Sequence, residues 1–416
     1  MVNITINSDK TISINGKKTF PLMMYHLCQT KFSDTDCLSY LQNNIYDINL
    51  IGASSAGMDA GFIQNHEWSG KMFTRGSLYS SDPAIVNSSA FFGWYQPDEP
   101  KVGSYGCTDV TTEDECIQKL INIYNTKKTE NPNHMIIMSL WKDAEKWKNA
   151  GDIVVFGLYP FRDNWMDWWG GREYSLYGYE YMVKSSILIG TDDFDTSTRP
   201  LYPIIQALSS VDSSGTQPLT FSEMRGLVYQ AITFNSKGLA FYTFSGEVDS
   251  GLYHNDTMVA QYNKVATELK SFNDFLVLPT KDYSWHYRQG TRVSFSKTLT
   301  HELWAHDNNY TPQYLVFTAT NFNYILKLDN NTYYLIVVNK DTRPISDVEL
   351  TISGLTGTMP VKTLGLETSG SGRAGRVFAA NNGQFTDSFD GYAVHIYQIS
   401  SDIPCPASEC DFTITQ

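Results

Sequence analysis

Between residues 20 and 245 the chain repeats one rhythm: a short apolar run, then a longer segment with helical or loop character. "FPLMMYHL" (20–27) leads into "SDTDCLSYLQNN", where Ser33 and Asp34 can cap a helix. "INLIGASS" follows from Ile48, and "AFFGWYQPDEP" closes a loop-rich stretch. "TTEDECIQKLINIYNTKK" reads as a helix with Thr112 as cap and Glu115 three residues on. "MIIMSLW" precedes the helical "KDAEKWKNAG", and "DIVVFGLYP" precedes an aromatic loop with a helix starting near Glu180. "PLYPIIQAL" precedes "FSEMRGLVYQAITFNSKG", where Ser222 can cap and Gly238 can end the helix. "LAFYTFS" ends the series.

Apolar strands that alternate with helices are parallel strands covered on both faces. Seven strands are clear, and an eighth fits as a short third strand between about residues 59 and 78. Eight such units over about 250 residues fit a (β/α)8 barrel of the TIM type. The alternative, a doubly wound sheet, lacks a Gly-rich phosphate fingerprint after any strand.

From about Lys281 the rhythm changes to short runs separated by Gly, Asn and Asp: "QYLVFTATNF", "TYYLIVVNK", "SDVELTISGL", "MPVKTLGL", "GRVFAANNGQFTDSF" and "YAVHIYQI". That pattern predicts an all-β antiparallel sandwich. The expected organisation is an N-terminal β-hairpin at 1–19 around Asn15-Gly16, a barrel at 20–280, a β-sandwich at 281–400 and a tail at 401–416.

The 416 residues carry a formal charge of -13, which argues against a nucleic-acid partner, because phosphate backbones need a basic face. No apolar run approaches the ~18–20 residues of a membrane span. Aromatic residues reach 14%, and Trp and Tyr in excess suit the apolar faces of sugars as well as cores.

The cysteines fall into three close pairs, Cys28 with Cys37, Cys107 with Cys116 and Cys405 with Cys410. Local disulfides are the favoured reading and unrelated buried thiols the alternative. No C-x2-C pair suggests zinc. Sequons occur at Asn3, Asn87, Asn255, Asn309 and Asn330. Together with the cysteines they lean towards an extracellular or surface setting, a virion surface included. "MVNITINSDKTISING" shows no signal-peptide h-region. Either a signal has been removed or export is unconventional; an intracellular protein of a hyperthermophile also fits.

Barrel active sites lie at the carboxyl ends of the strands. The candidates there are Tyr25 and His26 after strand one, Tyr95, Asp98 and Glu99 after four, and Trp141 after five. Tyr159 and Arg162 follow strand six, Gln206 ends seven, and Glu247 and Asp249 follow eight. Apolar neighbours and the Asp98 charge would raise the Glu99 pKa, as an acid catalyst needs. Pro100 predicts extended geometry at Glu99. The alternative is a cap or a pair with Lys101. In "YPFRDNWMDWWGGREYSLYGYEY", Trp165, Trp168 and Trp169 lie within five residues. They can form a sugar-stacking platform or simply pack the loop. His26 can bind a hydroxyl or be a structural histidine. "NHEWSG" and "THELWAH" lack the second histidine of a zincin, so no metal or other cofactor is implied.

The order of these motifs resembles clan-A-type glycoside hydrolases with a (β/α)8 barrel. An apolar strand ending in W-Y-x-x-D-E-P is similar to their fourth strand, whose Glu is the general acid/base. "DIVVFGLYP", "RPLYPIIQAL" and "SEMRGLVYQAITFNSKGLAFYTFS" resemble their later repeats, and the C-terminal strands the β-sandwich that often follows. The likeness runs from residue 20 to 399. It implies Glu99 as acid/base and a nucleophilic Glu at the end of strand seven, where this chain has Gln206. A neutral amide can hydrogen-bond a sugar hydroxyl but cannot attack an anomeric carbon. The partner carboxylate then comes from Glu247, Asp249, or Asp163 and Asp167 after strand six. Asp98 can orient Glu99, bind a hydroxyl or shape a turn. The rival reading is a non-catalytic glycan-binding or structural surface protein.

Overall fold

The computed structural model describes residues 3–24, 34–48, 50–53, 72–75, 83–96, 99–103, 106–140, 144–157, 159–161, 172–187, 199–212, 215–242, 251–252, 255–284, 290–305, 315–367 and 370–404. Short apolar runs form the eight strands β1 (Leu22–Met24), β2 (Leu50–Ala53), β3 (Met72–Arg75), β4 (Phe91–Tyr95), β5 (Met135–Leu140), β6 (Ile153–Gly157), β7 (Leu201–Gln206) and β8 (Leu239–Tyr242). They pair in parallel in chain order, and β8 returns to β1 through Leu239↔Leu22, so the sheet is a closed barrel. The short third strand expected before residue 78 is β3.

Every residue of β4, β5 and β7 is buried, which is why these segments read as unbroken apolar runs. Alternate residues, Met135 and Ile137, Ile153 and Val155, Tyr202 and Ile204, join one cluster with Met23, Leu50, Phe92, Tyr95 and Ala240. Ile4 and Ile12 belong to it too. They come from a three-stranded sheet (Ile4–Ile6, Ile12–Ile14, Lys17–Thr19). Only Phe20 and Pro21 separate that sheet from β1, which puts it at the amino ends of the barrel strands. Its turn has positive φ at Asn15 (51°) and Gly16 (80°), as the Asn-Gly pair predicts.

The β3–β4 register jumps from Phe73↔Phe91 to Thr74↔Gly93, leaving Phe92 as an extra residue. The bulge shifts the phase of β4, so Phe92 and Tyr95 both join the inner cluster. Trp94 instead packs against Phe91 and His134, with ring centroids at 5.2 and 5.6 Å. Glycine is required at 93: a Cβ there would lie 1.8 Å from the Met135 carbonyl oxygen.

The helices include α1 (Asp34–Asn44), α2 (Pro83–Val86), α3 (Glu113–Glu130), α4 (Ala144–Trp147), α5 (Ser175–Ile187), α6 (Phe221–Thr233) and α7 (Asp256–Ser271). Thr112 and Glu115 form the expected capping box on α3. Helix α5 starts at Ser175 rather than near Glu180. On α6 the cap is Thr220, not Ser222: the Thr220 hydroxyl accepts the Glu223 N–H at 3.2 Å, and the Glu223 carboxylate takes the Thr220 N–H at 2.8 Å. This reciprocal pair satisfies two donors where Ser222 could satisfy one. Nor does Gly238 end α6, since Asn235 takes the left-handed φ of 61°. Gly238 instead lets the backbone approach the Tyr202 ring, 2.7 Å from where its Cβ would stand. Cys107 and Cys116 form a disulfide joining the first turn of α3 to the preceding loop. Cys28, Cys405, Cys410 and the side chain of Cys37 lie outside the described residues.

The chain forms two units. One comprises Met1–Arg162, Met182–Leu219 and Ser236–Asn273; the other comprises Asp163–Tyr181, Thr220–Asn235 and Asp274–Gln416. The second holds a nine-stranded antiparallel sheet and a separate two-stranded ribbon, β11 (Thr300–Ala305) with β12 (Leu315–Thr320). The sheet strands are β9 (Thr280–Ser284), β10 (Val293–Phe295), β13 (Phe322–Asp329), β14 (Thr332–Asn339), β15 (Ile345–Ile352), β16 (Thr358–Leu364), β17 (Val377–Asn381), β18 (Gln384–Phe389) and β19 (Val394–Ile399). Their order is β9-β13-β14-β19-β16-β17-β18-β15-β10. Phe295 on the β10 edge stacks on Phe322 of β13 at 4.7 Å, and the Val293 N–H reaches the Tyr324 hydroxyl at 3.2 Å. The sandwich is thus one sheet folded over its own core. Helix α6 packs on β13, β14 and β19 of the same unit.

Two predictions follow from the barrel. Gly93→Ala forces β4 away from β5 and lowers unfolding free energy by about 1–3 kcal/mol, read by denaturant titration. His134 is 1% exposed, and neither ring nitrogen has a hydrogen-bond partner among the described residues. Burial, and then the Lys128 charge, hold its pKa below the ordinary 6.5. The unfolded chain therefore binds the proton more tightly, and stability is lost as pH falls below about 6.5. His134→Leu makes the acid side of the stability-versus-pH curve shallower; an unchanged slope refutes the assignment.

Candidate active site

Of the candidates, Tyr95, Glu99, Tyr159 and Gln206 are described, each at or just beyond the carboxyl end of a barrel strand. Tyr95, the last residue of β4, is buried in the inner cluster at 2% exposure. Gln96 turns away: its side-chain N–H donates to the Ala150 carbonyl at 3.0 Å, and its backbone N–H to Ile137 at 2.8 Å.

Glu99 follows on a left-handed turn with φ 46°, and its N–H donates to the Ser139 carbonyl of β5 at 3.2 Å. The extended geometry expected before Pro100 is therefore not found. The bond to Ser139 draws the chain back across the end of β5, while Pro100 is buried. A non-glycine residue in this region costs about 1–2 kcal/mol. Such strain concentrates where function demands a particular side-chain direction. Glu99 is also exposed, not desolvated by the aromatic residues before it.

On β7, Gln206 is fully buried. Its carbonyl oxygen accepts the Phe161 N–H at 2.9 Å, and its amide N–H donates to the Leu208 carbonyl at 3.3 Å. Both ends of this amide hold backbone, tying the chain after β6 to the end of β7. Tyr159 is half-buried and stacks on Tyr242, the last residue of β8, with centroids 4.7 Å apart and planes at 29°. Gln206 pairs in register with Tyr242, so this rim is knit across β6, β7 and β8.

The structure thus brings together Tyr159, Gln206 and Tyr242 on one part of the rim and Tyr95 and Glu99 on another. Tyr25, His26, Asp98, Trp141, Arg162, Trp165, Trp168, Trp169, Glu247 and Asp249 lie outside the described residues. Sequence reasoning did not select Tyr242, Phe161 or Ser139. For Tyr242 the signal was present, since it stands two residues beyond the inward Ala240 in "LAFY". Phe161 and Ser139 act through backbone atoms, which no residue type announces.

No protein-family model matches this chain, and no curated protein matches it. Solved structures do. A GH30 endoxylanase from Clostridium papyrosolvens is 12% identical over 95% of this chain and 99% of its own, with TM-score 0.44. An alpha-L-arabinofuranosidase from Thermotoga maritima is 9% identical over 96% and 99%, with TM-score 0.45. An alpha-amylase from Geobacillus thermoleovorans is 10% identical over 94% and 78%, with TM-score 0.42. The fold assignment rests on the strand pairing described above and not on these likenesses.

The strain at Glu99 is testable. Glu99→Gly removes the Cβ conflict of the left-handed turn and raises unfolding free energy by about 1 kcal/mol, seen as a higher denaturant midpoint. A lower midpoint means that the Glu99 side chain stabilises the fold and the turn is not strained.

Proposed function

We propose that the chain is a glycoside hydrolase acting on an oligo- or polysaccharide, with Glu99 as general acid/base. The observation that carries this reading is the left-handed, exposed Glu99 immediately beyond the fourth strand of a closed barrel, inside the sequence Asp98-Glu99-Pro100. Barrel enzymes keep their chemistry at this end. A bound sugar would cover Glu99 and remove water from it, and the Asp98 charge would act in the same direction. Both effects favour the protonated acid needed to release the leaving oxygen.

Glu247, beyond strand eight, is the proposed partner. At ~5–5.5 Å from Glu99 it would attack the anomeric carbon with retention; at ~6.5–9.5 Å it would activate water with inversion. Tyr159, Trp141 and the tryptophans at 165, 168 and 169 are proposed sugar-contacting rings, with His26, Tyr25 and Arg162 for hydroxyls; Tyr95, expected to contact sugar, is instead packed in the inner cluster. Gln206 reaches a hydroxyl only if its buried amide leaves its backbone partners, so its proposed role is to hold the rim. The Cys107–Cys116 disulfide supports a non-reducing, extracellular or surface setting.

A second reading is favoured by Gln206. A buried amide bonded to backbone occupies the position where the resemblance expects a nucleophile. On that reading the chain binds glycan without turnover, as a component of a cell or virion surface.

Glu99→Gln separates the two. For a hydrolase it lowers release of reducing ends from a responsive glycan by about 10²–10⁴-fold while binding persists. If a panel of glycans binds the native chain and none is cleaved, the binding reading stands. Cleavage that Glu99→Gln leaves unchanged removes Glu99 from the mechanism.

A further inference from the structure

The described sequons differ sharply in what the fold does with their asparagines; Asn309 lies outside the described residues. Asn87 is exposed just after α2; its backbone N–H bonds to the Pro83 carbonyl at 3.0 Å, and its side-chain amide has no bond among the described residues. The sequon hydroxyl two residues on, Ser89, is exposed as well. Asn330 is exposed in the two-residue turn between β13 and β14, where Asp329 pairs with Thr332. Its φ of 51° suits asparagine, and its amide makes only a local bond to Asp329 at 3.2 Å. Asn3 and its sequon residue Thr5 are both exposed on the outermost N-terminal strand segment.

Asn255 is built differently. It is the N-cap of α7: its carbonyl oxygen accepts the Met258 N–H at 3.1 Å. Its amide nitrogen, the atom that would carry a sugar, donates to the Ser209 hydroxyl at 3.2 Å. Ser209 and Met258 are fully buried, so this nitrogen faces the interior. Asn255 is itself half-buried, and a sugar on its amide nitrogen would break the bond to the buried Ser209 and crowd that side of the residue.

We infer that Asn3, Asn87 and Asn330 are N-glycan acceptors and that Asn255, despite an intact sequon, stays bare in the folded protein. The donor is a polyprenyl-diphosphate-linked oligosaccharide. The Asn amide nitrogen bonds to the sugar's C1 as the C1–O bond to diphosphate breaks, and the amide proton passes to the departing diphosphate. The modification neither oxidises nor reduces either partner. Exposed turns and edges accept so bulky a group without displacing packed atoms.

The test is secretion of the full chain, behind an added signal peptide, from a eukaryotic cell line that glycosylates. Peptide mass spectrometry with and without an N-glycan-releasing amidase then reads each site. The expected result is glycan at Asn3, Asn87 and Asn330 and unmodified Asn255. Ser89→Ala and Thr332→Val, which keep both asparagines, should each remove one glycan mass from the intact protein while the circular dichroism spectrum stays the same. Glycan on Asn255 in the folded, secreted pool overturns the inference, as does secreted protein bare at Asn87 and Asn330.

Discussion

The backbone of strand β4 runs so close to β5 at Gly93 that any side chain there would strike the Met135 carbonyl. Much of the candidate site depends on that approach. It accommodates the extra residue at Phe92, and the extra residue changes which face each later side chain occupies. Tyr95 therefore enters the barrel, and Trp94 turns to Phe91 and His134. Beyond β4, the Glu99 N–H bonds to the Ser139 carbonyl of β5. A regular strand would have interchanged Trp94 and Tyr95, because side chains alternate with a period of two.

The rim shows two opposite uses of polar chemistry. At Gln206 an amide is fully buried and spent on backbone partners, which rigidifies the ends of β6 and β7. At Glu99 a carboxylate is exposed on a strained backbone. The first arrangement stabilises, since a buried backbone N–H left without an acceptor costs about 1–3 kcal/mol. The second places Glu99 on a left-handed backbone whose N–H is held by the Ser139 carbonyl.

Buried ion pairs accompany the apolar core of the second unit. Lys340 and Glu180 form a fully buried ion pair, with the Lys340 ammonium 5.1 Å from the Tyr177 ring centroid. Tyr177 donates to Asp341 at 3.0 Å. Arg225 of α6 bonds Glu367 at 2.6 Å and the Val394 carbonyl at 2.9 Å. Glu223 caps α6 and also pairs with Arg172 at 2.6 and 2.8 Å. Burial pushes the Glu223 pKa up, but Arg172 and the Thr220 N–H outweigh it and hold the carboxyl below its ordinary value. Such pairs add little net stability over well-packed apolar residues, yet each fixes one orientation of helix on sheet, because a half-broken buried pair is costly.

The barrel was legible in the sequence because its signal is local: strands buried on both faces must be apolar throughout, and the segments between them carry caps and amphipathic faces. The α3 capping box and the Asn15-Gly16 turn were legible for the same reason, being bonds between near neighbours. The choice of Thr220 over Ser222 turned on which hydroxyl met Glu223. The seat of Glu99 was visible as Asp-Glu-Pro after an apolar strand, whereas its left-handed backbone and exposure were not. Those depend on the Phe92 bulge, on Ser139 from another strand and on the close approach at Gly93. The role of Gln206 likewise depends on a backbone N–H 45 residues away. Hydrophobic pattern and short-range bonds are written in the order of residues. The phase of a bulged strand and the partner of a buried amide are decided only when distant backbones meet, because their geometry belongs to no single segment.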